Sequence, residues 1–307
     1  MSKSKGMSLI EGQDNRLIGA CFRILELQGE QLPLNFETPV KGAKIIDQVI
    51  ASKEATSEEK EKMVQSLIAE AEQSLLSLDE FDWIKDNERA CYFLWASIYL
   101  NSYAEYPAHP LALQTQEHQP QYIHFYSQHN LKSNPSNSKE RFGEVVNYFD
   151  RVRQPREWKL NLIAHLKGIW GHIFSSRKPF SWLEKDNEEQ CRWAWDYISK
   201  IDWDNSKPMI SQLSATSTKE MYFAIYAAYD TWNAATEAKR LFTIDFNKAW
   251  QQKKHRDSRQ GKKACSLVLH EDIKNKLDEL AKTRKVTLSQ LVEQLIEKEH
   301  SSTLKRD

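Results

Sequence analysis

Residues 264 to 299 constrain this chain most, because they describe a piece too small to bury its own apolar side chains. In Cys265-Ser266-Leu267-Val268-Leu269 the side chains alternate with period two, so Cys265, Leu267 and Leu269 share one face of a strand while Ala264, Ser266 and Val268 share the other. After His270, Glu271 and Asp272 suit the positive end of a helix, and Ile273, Leu277, Leu280 and Ala281 follow at helical spacing. Thr287-Leu288-Ser289-Gln290 has the form of a capping box, and Leu288, Leu291, Val292, Leu295 and Ile296 repeat the stripe. One strand and two helices of about three turns each bury too little to stand alone. Pairing with the same strand of a second chain remedies this. The expected dimer core is Cys265, Leu267, Leu269, Ile273, Leu277, Leu280, Leu288, Leu291, Val292, Leu295 and Ile296.

On these residues the segment resembles the Arc/MetJ/CopG ribbon-helix-helix family over about residues 262–299. Within that family it is most similar to the MatP-like members, which bind repeated sites in a chromosomal terminus region. The likeness runs through Ser266-Leu267-Val268-Leu269, Leu277, Leu280-Ala281, Arg284, Thr287-Leu288-Ser289 and Gln294-Leu295-Ile296-Glu297, with a basic run ahead of the strand. It implies a homodimer whose paired strands enter the major groove of double-stranded DNA, with Ala264, Ser266 and Val268 toward base edges. Only Ser266 among these can exchange hydrogen bonds with a base. The start of the second helix, Thr287, Leu288 and Ser289, would hold a phosphate through backbone amides. One departure is Lys285, at a turn position where the family often has Gly. A left-handed Lys costs about 1 kcal/mol, so a different turn is expected.

Lys253-Lys254-His255-Arg256-Asp257-Ser258-Arg259-Gln260-Gly261-Lys262-Lys263 is the densest positive stretch of the chain. It reads as a flexible arm over residues 248–263 whose Lys253, Lys254, Arg256, Arg259, Lys262 and Lys263 contact phosphates, or else as a solvated linker. The 307 residues hold 43 basic and 43 acidic side chains, so a basic tail implies a slightly acidic remainder that is no general polyanion binder. No apolar run is long enough for a membrane span, and Met1-Ser2-Lys3-Ser4-Lys5-Gly6 lacks the apolar core of a signal peptide, which points to a cytoplasmic, nucleoid-associated protein. Cys21, Cys91, Cys191 and Cys265 are scattered among apolar neighbours and read as buried thiols.

The remainder, after a flexible start over 1–13, reads as an all-α body over 14–247. Leu17, Ile18, Cys21, Phe22 and Leu25 form one stripe, and Thr56-Ser57-Glu58-Glu59 opens a helix carrying Met63, Leu67, Ala71 and Leu75 or Leu78. Further helices are expected from Asn137, after Pro155, near Asp186 and from Ser217. Between Tyr103 and Asn137 the periodicity fails among Pro107, Pro110, Pro120 and Pro135, so this is a long loop or a boundary between two helical halves. An internal echo favours a duplication. Phe81-Asp82-Trp83-Ile84-Lys85-Asp86-Asn87-Glu88, with Cys91, Phe93, Trp95 and Ile98, returns as Phe180-Ser181-Trp182-Leu183-Glu184-Lys185-Asp186-Asn187-Glu188, with Cys191, Trp193, Trp195 and Ile198. The aromatic pair ahead of each helix reads as a staple onto that same helix.

No nucleophile elbow, phosphate loop or metal-binding helix motif occurs, and His109, His118, His124 and His129 lack metal-ligand spacing. The expectation is therefore a non-enzymatic chain with no cofactor or metal: a sequence-specific DNA-binding dimer whose body serves oligomerisation or binds a protein partner, with residues 301–307 as a tail. The alternative makes the body an effector, such as a toxin or defence protein, and the tail its autoregulator.

Overall fold

The computed structural model describes residues 14–33, 36, 38–100, 126, 131–176, 178–200, 210–259, 261, 263 and 265–303. The expected flexible start, most of the 103–137 segment with its four histidines, and Lys262 and Ala264 lie outside these residues. The described residues are mainly helical, form no strand, and include no helix long and apolar enough to cross a membrane. They fall into two compact units, one up to Asp245 and one from Phe246 on.

In the first unit, α1 (Asn15–Leu27), α2 (Pro39–Ser52) and α3 (Ser57–Ser74) share a core of Leu17, Ile18, Cys21, Ile46, Leu67 and Ala71. The Thr56 box is built as read, Glu59 N–H donating to Thr56 Oγ1 and Thr56 N–H to Glu59 Oε2. Its stripe holds at Leu67 and Ala71 but begins at the buried Val64, while Met63 and Leu78 are exposed. Two helices with i, i+3 and i+4 stripes can meet along either edge of the apolar arc, and α1 meets α3 along the Val64 edge.

The short α4 (Asp82–Lys85) leads into α5 (Glu88–Leu100), whose residues from Ala90 to Ile98 are all buried. α6 (Ser138–Arg151) and α9 (Thr218–Thr231) flank α5, while α7 (Arg156–Ser175) and α8 (Glu188–Ser199) complete this set. A helix packed on both sides reads as continuously apolar. The body therefore does not separate at the 103–137 segment, because α5, before it, packs on α6 and α9, after it.

The echo is a structural repeat, longer than its sequence trace. Asn87 Oδ1 accepts from Ala90 N–H at 3.0 Å, and Asn187 Oδ1 from Gln190 N–H at 3.1 Å, capping α5 and α8 alike. Of the aromatic pairs, Trp182 does meet the following helix, 5.7 Å from Trp193 of α8, but Phe81 and Phe180, both fully buried, pack elsewhere: Phe81 lies 5.5 Å from Phe149 of α6, and Phe180 5.0 Å from Tyr229 of α9. α6 and α9 open on Asn137 and Ser217 caps and close on Asp150 and Asp230. Lys159 and Lys239 each follow nine residues after that Asp.

Each Asp receives two hydrogen bonds from an Arg at the second residue of another helix. Arg16 Nε and Nη2 of α1 each reach Asp150 at 2.7 Å, and Arg89 Nε and Nη2 of α5 reach Asp230 at 2.9 and 2.8 Å. The two pairings span 134 and 141 residues. Lys159 Nζ donates to the Ser74 carbonyl, and Lys239 Nζ to the Tyr229 carbonyl, each at 3.2 Å. Burial pushes Lys159 down to about 8 and lowers Lys239 in the same way. Each repeat is thus latched to the preceding element by a fork of matched geometry. The same position in α8 is Glu189, where the series stops. Across the middle, Arg141 stacks 3.8 Å from the Tyr92 ring and pairs with Glu220, both buried.

Candidate nucleic-acid interface

The second unit contains the end of α10 (Thr236–Ser258), then α11 (Glu271–Arg284) and α12 (Leu288–Thr303). Residues 246–307 carry fifteen Lys and Arg against nine Asp and Glu, whereas the residues before them carry 28 against 34. Net positive charge is therefore confined to the C-terminal unit.

The expected flexible arm is in part a helix. Lys253 to Ser258 are the last turns of α10, whose inner face holds the buried Phe246 and Trp250. Lys253 lies 5.7 Å from the Trp250 ring centroid and pairs with Asp257, so this cation is already engaged. Lys254, Arg256 and Arg259 are exposed, and Lys263 follows beyond Gly261, whose φ is 78°. Sequence reasoning missed the helix because the polar run carries six cations against Asp257 alone and no apolar stripe, and the buried Phe246 and Trp250 lie ahead of it. It also missed Lys248, which falls on the outward side with Gln252, Arg256 and Arg259 at offsets of four, eight and eleven. Period 3.6, applied to charges rather than apolar residues, would have found it.

Residues 265–269 run without strand pairing and lie exposed, with Leu267 at 59%, Val268 at 102% and Leu269 at 41%. Ser266 and Val268, expected to face bases, are accordingly open. The expectation that Cys265 is a buried thiol is not met: it is exposed, since none of the described residues covers that face. The same applies to most of the expected dimer core. Ile273, Leu280, Leu288, Leu295 and Ile296 are exposed, Leu277 and Val292 are half-buried, and Leu291 with Ala281 is buried between α11 and α12.

The turn between these helices is fully formed, and it corrects the expectation for Lys285. That residue is left-handed, with φ 54° and ψ 41°. Lys285 N–H donates to the Lys282 carbonyl at 3.3 Å and Val286 N–H to the Ala281 carbonyl at 3.1 Å, the paired bonds of a Schellman motif. Val286 sits half-buried as the motif's apolar residue. The two closing bonds hold Lys where Gly is the usual occupant, at a conformational cost of about 1 kcal/mol. The next residue begins a reciprocal cap: Gln290 N–H donates to Thr287 Oγ1 at 3.3 Å and Thr287 N–H to Gln290 Oε1 at 3.0 Å. This assigns the Thr287 hydroxyl to the helix, and the first intrahelical bond, from Leu291 N–H to the Thr287 carbonyl, leaves the amides of Leu288 and Ser289 without helical acceptors.

Among the described residues no group of His, Cys, Asp and Glu could hold a metal ion. Comparison of the chain with protein-family models, curated proteins and solved structures returned no match.

Proposed function

We propose that this protein binds double-stranded DNA sequence-specifically as a homodimer, its C-terminal unit forming a ribbon-helix-helix with a second copy and its helical body serving oligomerisation or a protein partner. One observation carries the reading. The α11–α12 pair has its turn and cap chemistry complete, yet leaves Leu267, Leu269, Ile273, Leu280, Leu295 and Ile296 exposed at the spacing of one apolar face. Such a face on so small a unit calls for apolar cover. Because the uncovered set includes the alternating segment itself, a second copy of that segment supplies both the missing backbone partners and the missing apolar surface. The positive charge of the same unit supports a nucleic acid as the ligand.

The test is selection from random-sequence duplexes by the full chain. The expected outcome is enrichment of a sequence with two related half-sites. Ser266→Ala should weaken binding to the enriched site by roughly tenfold and relax the preference at one base position, while the affinity for unrelated DNA holds. Absence of any enriched sequence would sink the proposal.

A further inference from the structure

Resting on that reading, we propose that the outward face of α10 is a second DNA-contacting element, in which Lys248, Arg256 and Arg259 lie along the phosphate backbone of the duplex whose groove the ribbon enters. Lys253 is excluded from this role.

From Phe246 on, α10 divides its side chains between two sides. Phe246 and Trp250 are buried on one side, and Lys253 folds over Trp250 and pairs with Asp257. On the other side Lys248, Gln252, His255, Arg256 and Arg259 are all exposed, at the offsets that keep a helix face continuous. Between Lys248 and Arg259 that face carries no acidic side chain, Asp257 belonging to the inner side with Lys253. Gln251, Gln252, His255 and Arg256 line a shallow open concavity along it. From Lys248 on, charge on this helix is thus sorted, with the exposed Asp245 one turn earlier marking where the basic face begins.

Length and connection indicate the ligand. Eleven residue steps of helix cover about 16 Å, over which duplex DNA presents roughly nine or ten phosphate charges. Six residue steps separate Arg259 from Cys265, a reach of at most about 20 Å. A ribbon in a major groove about 12 Å wide therefore keeps the end of α10 within range of the phosphates that wall that groove. Contacts of this kind carry no sequence information. They supply register and affinity, which a ribbon with Ser266 as its single hydrogen-bonding base contact lacks.

The experiment measures binding of the full chain to a mixed-sequence 30-bp duplex between ~50 and ~200 mM salt. Each lost phosphate contact lowers the slope of log affinity against log salt by about one and affinity at the low-salt end by on the order of tenfold. The R256Q/R259Q double variant should lose about two units of slope and on the order of a hundredfold in affinity. R256K/R259K should restore both, because a phosphate takes a point charge as well as a fork. K253Q should leave the slope unchanged. An unaltered slope in R256Q/R259Q, no rescue by the Lys pair in a chain of native circular dichroism, or an equal loss from K253Q each overturns the inference. The two readings fail separately. A chain that selects sequence but keeps its slope in R256Q/R259Q loses this inference alone; one that binds mixed DNA through these arginines but selects no sequence loses the ribbon reading and keeps the helix.

Discussion

Arg141 and Glu220 in the body lie entirely out of water, while Leu267, Val268 and Ile296 in the C-terminal unit stand in it. The body has so much apolar surface to bury that it can enclose this pair, Glu220 meeting the Arg141 charge and Arg141 lying against the Tyr92 ring. The C-terminal unit has so little that most of its leucines remain uncovered, Leu291 alone among the described ones being buried. The contrast separates two sources of order: the body is completed by pairs drawn from its own distant segments, the tail, in the function proposed above, by a second copy of itself.

The largest effect should come from the tail. Leu295→Ala removes apolar contact twice in a symmetric dimer, at about 1.5–3 kcal/mol per side chain, so the dissociation constant should rise by two orders of magnitude or more. Sedimentation equilibrium reads that directly, and an unchanged dimer would erase the contrast. Next, Arg141→Met leaves Glu220 buried and unpaired, for a loss of about 3–5 kcal/mol. Nine of the ten tryptophans precede Asp245, so urea unfolding followed by fluorescence reports the body, and the transition should shift without loss of the dimer. If instead both properties fall together, the two units are not independent in stability. Smallest is Lys285→Gly, which relieves a left-handed Lys and should stabilise the tail by about 1 kcal/mol in thermal melts. A loss of stability there would mean that the Lys side chain makes a compensating contact in the dimer.

Much of the local chemistry was legible in the sequence. The Thr56 and Thr287 boxes, the Asn137, Asn187 and Ser217 caps and the Leu17 to Leu25 stripe depend on residues three or four apart, and a linear reading captures such spacings. The first half of the repeat was visible because Phe, Trp, Asn and Cys are rare enough to stand out twice. Its second half was not: Lys139-Glu140 with Asp150 and Lys219-Glu220 with Asp230 lie 80 residues apart, not one hundred, because the connection between the two helices is shorter in the second copy. The Arg16 and Arg89 latches were out of reach for another reason. Nothing in a neighbourhood of ten residues marks which of 43 basic side chains will meet which of 43 acidic ones. The candidate interface was read correctly in its caps and misread in its arm, where a local excess of charge concealed a helix anchored by Phe246 and Trp250.

The Arg16–Asp150 and Arg89–Asp230 latches also impose an order of synthesis. α1 can gather α2 and α3 around its own apolar core as soon as Ala71 is made, whereas the carboxylate for Arg16 is made 134 residues after Arg16 itself. At about 5–20 residues per second that is roughly 7–27 s on the ribosome. Arg89 waits as long again for Asp230. Both latches lie wholly within the first 230 residues, so every group that closes them is made before the exposed leucines of the tail.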